Sequence, residues 1–159
     1  MKIKMIAAIG QNNELGKNND LIWYLPNDLK FFKETTIGKT VLMGKNTFYS
    51  LPKVLPNRKN IVLTNENILN VETSNDIFKT ISKYKKEDKD IYIIGGAYVY
   101  NECLRLKIVD EILITIVPTV VEGADTKVDL SLMKDFKKKI KVKDFVYKEM
   151  RVSIWNWKR

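Results

Sequence analysis

Thr40-Val41-Leu42-Met43-Gly44-Lys45-Asn46-Thr47 reads as a short apolar strand that stops at glycine and turns into a helix start. Ile91-Tyr92-Ile93-Ile94-Gly95-Gly96-Ala97-Tyr98 repeats the design. Continuous apolar runs are strands buried on both faces, and a strand passing directly into a helix is the building unit of a parallel sheet. Backbone N–H groups freed at a helix start bind phosphate oxygens, and glycine lets the backbone approach closely. Lys45 adds a charge and Thr47 a hydroxyl. One glycine turn after a strand is commonplace. Its repetition points to a ligand with several phosphates. Neither junction has the spaced glycines of the dinucleotide fingerprint or the pattern of a P-loop, so the nucleotide site is of another kind.

Working outward, Lys2 to Ala8 reads as a buried strand, followed by a polar loop with Gly10 and Gly16. Leu25-Pro26-Asn27-Asp28-Leu29-Lys30-Phe31-Phe32 is a helix start, with proline early and an acid in the first turn. Asn60 to Leu63 is a further strand. Ser74-Asn75-Asp76 caps a helix whose apolar positions Ile77, Phe78, Ile81 and Tyr84 follow helical spacing. Ala97 to Leu106 is a helix, and Glu111 to Val117 a β-branched strand. The last third alternates like antiparallel strands, with Phe145, Tyr147, Val152, Ile154 and Trp155 as core candidates. The expectation is an α/β fold forming a single domain over residues 1–159. A central, mostly parallel sheet would carry an antiparallel C-terminal edge strand and flanking helices. Ligands of such sheets sit beyond the carboxyl ends of the strands.

Composition narrows the chemistry. The chain contains no histidine, which removes histidine triads, histidine zinc sites and the commonest general base. Cys103 is alone, so neither an intrachain disulfide nor a two-cysteine metal motif can form. Its helical setting reads as a small buried residue. No metal site is expected. No apolar run is long enough to span a bilayer, and the N-terminus lacks the features of a secretory signal, so the reading is a cytoplasmic protein without a membrane partner. The net charge of +9 implies attraction to anions. Much of it gathers between Lys134 and Arg159, where Lys139, Lys141 and Lys143 alternate with Ile140 and Val142 as in a strand with one wet face.

Asp28 is the sharper clue. On a helix it sits beside Leu29 and one turn before Phe32, with Trp23 near enough to cover the same pocket. The plain alternative is a first-turn acid that favours the helix dipole by about 0.3–1 kcal/mol. A carboxylate among apolar groups would have its charged form disfavoured, which suits proton management near neutral pH.

Leu21-Ile22-Trp23-Tyr24-Leu25-Pro26-Asn27-Asp28-Leu29-Lys30-Phe31-Phe32 resembles the substrate-site motif of bacterial dihydrofolate reductases. Val41-Leu42-Met43-Gly44-Lys45-Asn46-Thr47-Phe48, Leu55-Pro56-Asn57-Arg58-Lys59-Asn60, Ile93-Ile94-Gly95-Gly96 and Val121-Glu122-Gly123-Ala124-Asp125-Thr126 are similar to further motifs of that family, in its order and spacing. The resemblance implies NADPH-dependent reduction of dihydrofolate to tetrahydrofolate for one-carbon metabolism. It implies Asp28, Trp23 and Thr115 at the catalytic centre, with Thr115 hydrogen-bonded to the Asp28 carboxylate. The substrate pocket would comprise Ile6, Ala8, Leu21, Leu29, Phe32, Ser50, Leu55, Arg58 and Ile94, with Arg58 pairing with the glutamyl α-carboxylate. NADPH would contact Ala8, Leu15, Gly16 and Asn19, then Gly44, Lys45, Asn46 and Thr47. It would also meet Leu63, Thr64 and Asn65, and the run Gly95, Gly96, Ala97, Tyr98, Val99 and Tyr100. The loop from Leu15 to Trp23 would close over the nicotinamide.

The resemblance has departures. Ile22 stands where the family usually has proline, Lys45 where it has arginine, Asn65 where serine is frequent, and Tyr98 where arginine or a small polar residue is frequent. Lysine keeps the charge but loses the planar fork, which implies weaker discrimination against NADH. The partners implied are dihydrofolate and antifolate-type small molecules, with no specific nucleic acid, and the chain is expected to be a monomer. A same-fold reductase of a ribosylated aminopyrimidine would share the glycine junctions but has no use for Trp23 with Asp28 or for Arg58. A basic nucleic-acid-binding domain would exploit the lysine-rich end, yet no recognition helix or stacking platform accompanies it.

Overall fold

The computed structural model describes residues 1–17, 20–21 and 25–159. Along the chain run β1 (Ile3–Ile9), β2 (Glu14–Lys17), β3 (Asp20–Leu21), α1 (Pro26–Thr36), β4 (Thr40–Gly44), α2 (Lys45–Ser50), β5 (Lys59–Leu63) and β6 (Glu72–Ser74). There follow α3 (Ile77–Lys85), β7 (Ile91–Gly95), α4 (Ala97–Arg105), β8 (Glu111–Ile116), β9 (Thr126–Lys127), a 3-10 turn at Leu130–Met133, β10 (Lys138–Tyr147) and β11 (Met150–Lys158). Among the described residues the main sheet has eight strands in the order β10-β11-β8-β1-β7-β4-β5-β6. From β8 to β6 neighbouring strands pair in parallel. β11 runs against β8, and β10 runs against β11. The reversed strand therefore lies one place in from the edge.

Side chains alternate across a strand, and here both faces are covered. Met5, Leu42, Ile61, Ile93 and Ile112 face the cluster that receives Val99, Tyr100, Cys103 and Leu104 of α4 and Tyr84 of α3. Their neighbours Ile6, Val41, Met43, Val62, Tyr92 and Leu113 face the other way, where Phe31, Phe32 and Phe48 pack on them. The apolar runs of the sequence reflect that double burial.

Local signals explain the helix ends. α1 begins with Pro26 in the first turn and carries Asp28 there. α3 is capped by Asp76, whose carboxylate accepts the N–H groups of Phe78 and Lys79 at 2.9 and 3.3 Å. Three expectations need correcting. The stretch after Gly10 is not all loop, because Glu14–Lys17 pairs with β3 and β9 in a small antiparallel sheet. Phe78 leaves the core face of α3 and is exposed, since the first turn of that helix overhangs a cleft. β10 does not have one wet face but two over its first half, with Ile140 and Val142 exposed beside the lysines at the end of the sheet. Of the C-terminal core candidates, Val152 and Ile154 are fully buried, whereas Phe145, Tyr147 and Trp155 are only partly covered. Among the described residues no helix is long and apolar enough to cross a membrane.

Candidate active site

The site lies at the carboxyl end of the sheet, where β1, β7 and β4 stand side by side. Register fixes its centre. Ala8 on β1 sits opposite Thr115 on β8, so that hydroxyl lies near the strand end. Thr115 is 3% exposed. Its Oγ1 donates to Asp28 Oδ1 across 2.6 Å, which joins the first turn of α1 to the sheet. Burial pushes the Asp28 carboxyl above its ordinary range, and the Thr115 hydrogen bond partly opposes this. The dipole-only alternative for Asp28 does not account for a partner from the central sheet.

Tyr100, buried on α4, donates its hydroxyl to the Ile6 carbonyl at 2.7 Å. Burial, and then the charge of Asp28, raise its phenol well above the usual range, so it stays a protonated donor. The glycine junctions come together nearby. Gly95 has φ +137°, a region closed to ordinary side chains, and an added Cβ would lie 3.1 Å from Thr47 Oγ1. At Gly44 a Cβ would meet Val99 Cγ2 at 3.0 Å. The close seating of β4, β7, α2 and α4 therefore depends on glycine at these positions. The N-terminus of α4 has no side-chain cap, so its backbone donors remain for a ligand. α2 is only six residues long, and its contribution is Lys45 and Thr47 rather than a helix dipole.

A cleft of about 1140 Å³ runs from Ala8, Leu15 and Gly16 past Gly44–Thr47 and Gly95–Tyr100 to Leu63, Thr64, Asn65 and the first turn of α3. Ser50 and Ile94 also border it. It brings together every cofactor residue expected from the sequence except Asn19, which lies outside the described residues. Trp23 lies outside them too, as does the side chain of Leu21. Tyr98 is 80% exposed at the rim. Lys45 is not free: its Nζ pairs with Glu66 Oε1 at 2.9 Å.

The remaining substrate residues gather on the α1 side of the sheet. Ile6 is buried in the cluster against which Phe32, Leu55 and Ile94 pack, while Leu29 is 44% exposed. Arg58 donates from Nη1 to Thr36 Oγ1 at 3.1 Å and from Nε to the Pro56 carbonyl at 3.0 Å. Its guanidinium carbon lies 5.9 Å from the centre of the Phe32 ring. Among the described residues no carboxylate pairs with it, which leaves donors available for an anion. Residue reading missed Asn60, the staple of this loop. Its side-chain amide donates to the carbonyls of Leu55 and Arg58, and its oxygen accepts the Leu55 N–H. An asparagine near the start of an otherwise apolar strand is the signal that could have found it. The α3 turn, with Asn75, Phe78 and Lys79 on the cleft wall, was also missed. Its capping motif marked a helix start but not a ligand. Among the described residues no group of His, Cys, Asp or Glu could hold a metal ion.

The family model for dihydrofolate reductase matches residues 2–153. The chain belongs to the dihydrofolate reductase family. Curated dihydrofolate reductases resemble it throughout the aligned stretch. That of Buchnera aphidicola subsp. Schizaphis graminum is 43% identical over 107 residues, 65% of this chain and 66% of that protein. That of Bacillus subtilis is 39% identical over 106 residues, covering 63% and 61%. These alignments span just under two thirds of the relatives' length. The solved dihydrofolate reductase from Enterococcus faecalis, complexed with NADP(H) and RAB-propyl, superposes with a TM-score of 0.82. It is 29% identical, and the match covers 99% of this chain and 96% of that one.

Proposed function

We propose that the protein reduces 7,8-dihydrofolate to 5,6,7,8-tetrahydrofolate with NADPH, acting as a single domain over residues 1–159. The observation that carries this reading is the Thr115–Asp28 hydrogen bond, with Thr115 standing opposite Ala8 of the cleft wall. It fixes a carboxylate beside an apolar wall where a flat heterocycle with paired N–H donors can be gripped. NADPH supplies the hydride when bound. The fit of the cleft to an extended dinucleotide rests on its spread of lining residues from Ala8 to the first turn of α3, the uncapped α4 terminus and the glycine contacts around Thr47. Gly95 to Ala97 and Thr47 would hold the phosphates, and Ala8, Leu15, Gly16 and Tyr100 the nicotinamide.

Asp28 orients the pterin edge, and the negative charge of its carboxylate raises the basicity of the ring nitrogens it faces. Reduction of the imine adds hydride to carbon and a proton to the adjacent nitrogen, and that proton comes from water. Tyr100 stiffens β1 beneath the ring by holding the Ile6 carbonyl. Ile6, Phe32 and Leu55 give the ring its apolar bed, and Arg58 takes the glutamyl carboxylate with a fork already oriented by Thr36. Antifolates that mimic the pterin edge would occupy the same bed.

The test is steady-state oxidation of NADPH by purified protein with dihydrofolate. Turnover that needs both compounds is expected. Folded protein without turnover would end the reading.

A further inference from the structure

Glu14 is a carboxylate the mechanism leaves unused. It opens β2 and is 1% exposed. One carboxylate oxygen accepts the N–H of Asn12 at 2.5 Å, and the other accepts the N–H of Val121 at 2.5 Å. The two donors belong to segments more than a hundred residues apart in sequence. Burying a carboxylate is costly unless it is fully hydrogen-bonded, and charge-assisted bonds to backbone N–H groups are among the stronger ones. Burial pushes the Glu14 carboxyl up, but the backbone N–H groups of Val121, Glu14 itself and Asn12, with the charge of Lys127, outweigh it and hold it below the usual carboxylate range.

The same two segments are stitched by backbone bonds around it. Gln11 donates to Thr119 at 2.8 Å, Asp125 to Gly16 at 3.1 Å and Val128 to Asn13 at 3.1 Å. β2 pairs with β9 in the register Glu14 opposite Lys127 and Gly16 opposite Thr126. Leu15, Gly16 and Thr126 then form one wall of the cleft. An apolar side chain at position 14 would fill the space but leave both N–H groups without their acceptor.

We propose that Glu14 is a positioning residue for the cofactor half of the cleft. Its carboxylate clamps residues 10–16 to residues 117–127, so that Leu15, Gly16 and Thr126 stand as a fixed wall against the bound nicotinamide nucleotide. The proposal rests on reading the cleft as the NADPH site.

The experiment compares the full chain with Glu14→Leu and Glu14→Gln. Glutamine keeps the shape and one acceptor but turns an N–H donor toward another donor. NADPH affinity is measured by fluorescence quenching, affinity for a pterin-type antifolate by the same means, and amide exchange at Asn12 and Val121 by NMR. Both variants are expected to bind NADPH about ten-fold more weakly, in line with the sensitivity of sites to small misplacements. Antifolate affinity should stay within about two-fold, because the α1 side of the site is untouched. The Val121 amide should exchange faster, while amides of β4 keep their protection. Folded variants with wild-type NADPH affinity would overturn the proposal, even if Val121 exchanged faster. Failure of both variants to fold would assign Glu14 to the fold alone and overturn it equally. A wild-type chain that binds no NADPH would remove the reading of the cleft and this proposal with it. Wild-type binding with unchanged variants would remove only the proposal.

Discussion

Replacing Thr115 by valine exchanges a hydroxyl for a methyl group at a buried position of nearly equal volume, so the sheet should accept it with little repacking. What is lost is one hydrogen bond, 2.6 Å long, from a neutral donor to the Asp28 carboxylate. Such bonds to charged groups contribute about 1.5–3 kcal/mol. If that interaction is needed in full to hold Asp28 against the reacting ring, kcat/KM for dihydrofolate falls roughly ten- to a hundred-fold, at about 1.4 kcal/mol per factor of ten. Because Thr115 is also what opposes the upward push of burial on Asp28, the carboxyl of the variant should titrate higher still. The assay pairs steady-state kinetics with a pH titration of the Asp28 carboxyl by carbon NMR in the ligand-free protein. NADPH affinity serves as the control and should not move. A variant with kcat/KM within two-fold of wild type and an unshifted carboxyl would refute the reasoning, since α1 alone would then be holding Asp28.

Two further outcomes follow from the same geometry. Asp28→Asn should all but abolish turnover at neutral pH while leaving NADPH binding intact. It should also stabilise the fold: a carboxyl raised in the folded state favours folding only at low pH and loses that favour as pH rises through its folded value, so removing it helps above that range. A gain of roughly 0.5–2 kcal/mol, of the size found when active-site strain is relieved, should appear in urea denaturation at pH 7 and vanish in acid. Arg58→Lys keeps the charge but loses the fork set by Thr36 and Pro56. The KM for dihydrofolate should rise about ten-fold with kcat little changed, whereas a truncated substrate lacking the glutamyl tail should not distinguish the two proteins.

Much of this is legible in the amino-acid sequence. Strand and helix alternation exposed the parallel sheet because burial on both faces demands uninterrupted apolar runs, as at Leu42 and Ile93. The paired glycines announced close backbone approach, and Gly95 with its positive φ is such a place. Other features are invisible in one dimension. Residue reading alone could not tell Asp28 from an ordinary first-turn acid, since its partner is 87 residues away. Phe78 fits helical periodicity but faces a cleft, because periodicity says nothing of where a helix overhangs its sheet. Glu14 looked like part of a polar loop, since the donors that justify its burial are backbone groups and carry no sequence mark.

Among the described residues, the outer edge of β10 leaves a row of backbone donors and acceptors without a neighbouring strand, next to the apolar faces of Ile140, Val142 and Val146. Such a border is a template on which a second molecule can extend the ladder. Here Lys138, Lys139, Lys141 and Lys143 crowd it, and the register slips between Lys141 and Lys143. A like molecule approaching in line would bring ammonium against ammonium along a kinked rail. The cationic surplus of the chain would then serve, apart from any anionic ligand, as a guard against self-templating. Light scattering that grows when those lysines are made neutral, or when salt screens them, would be its visible mark.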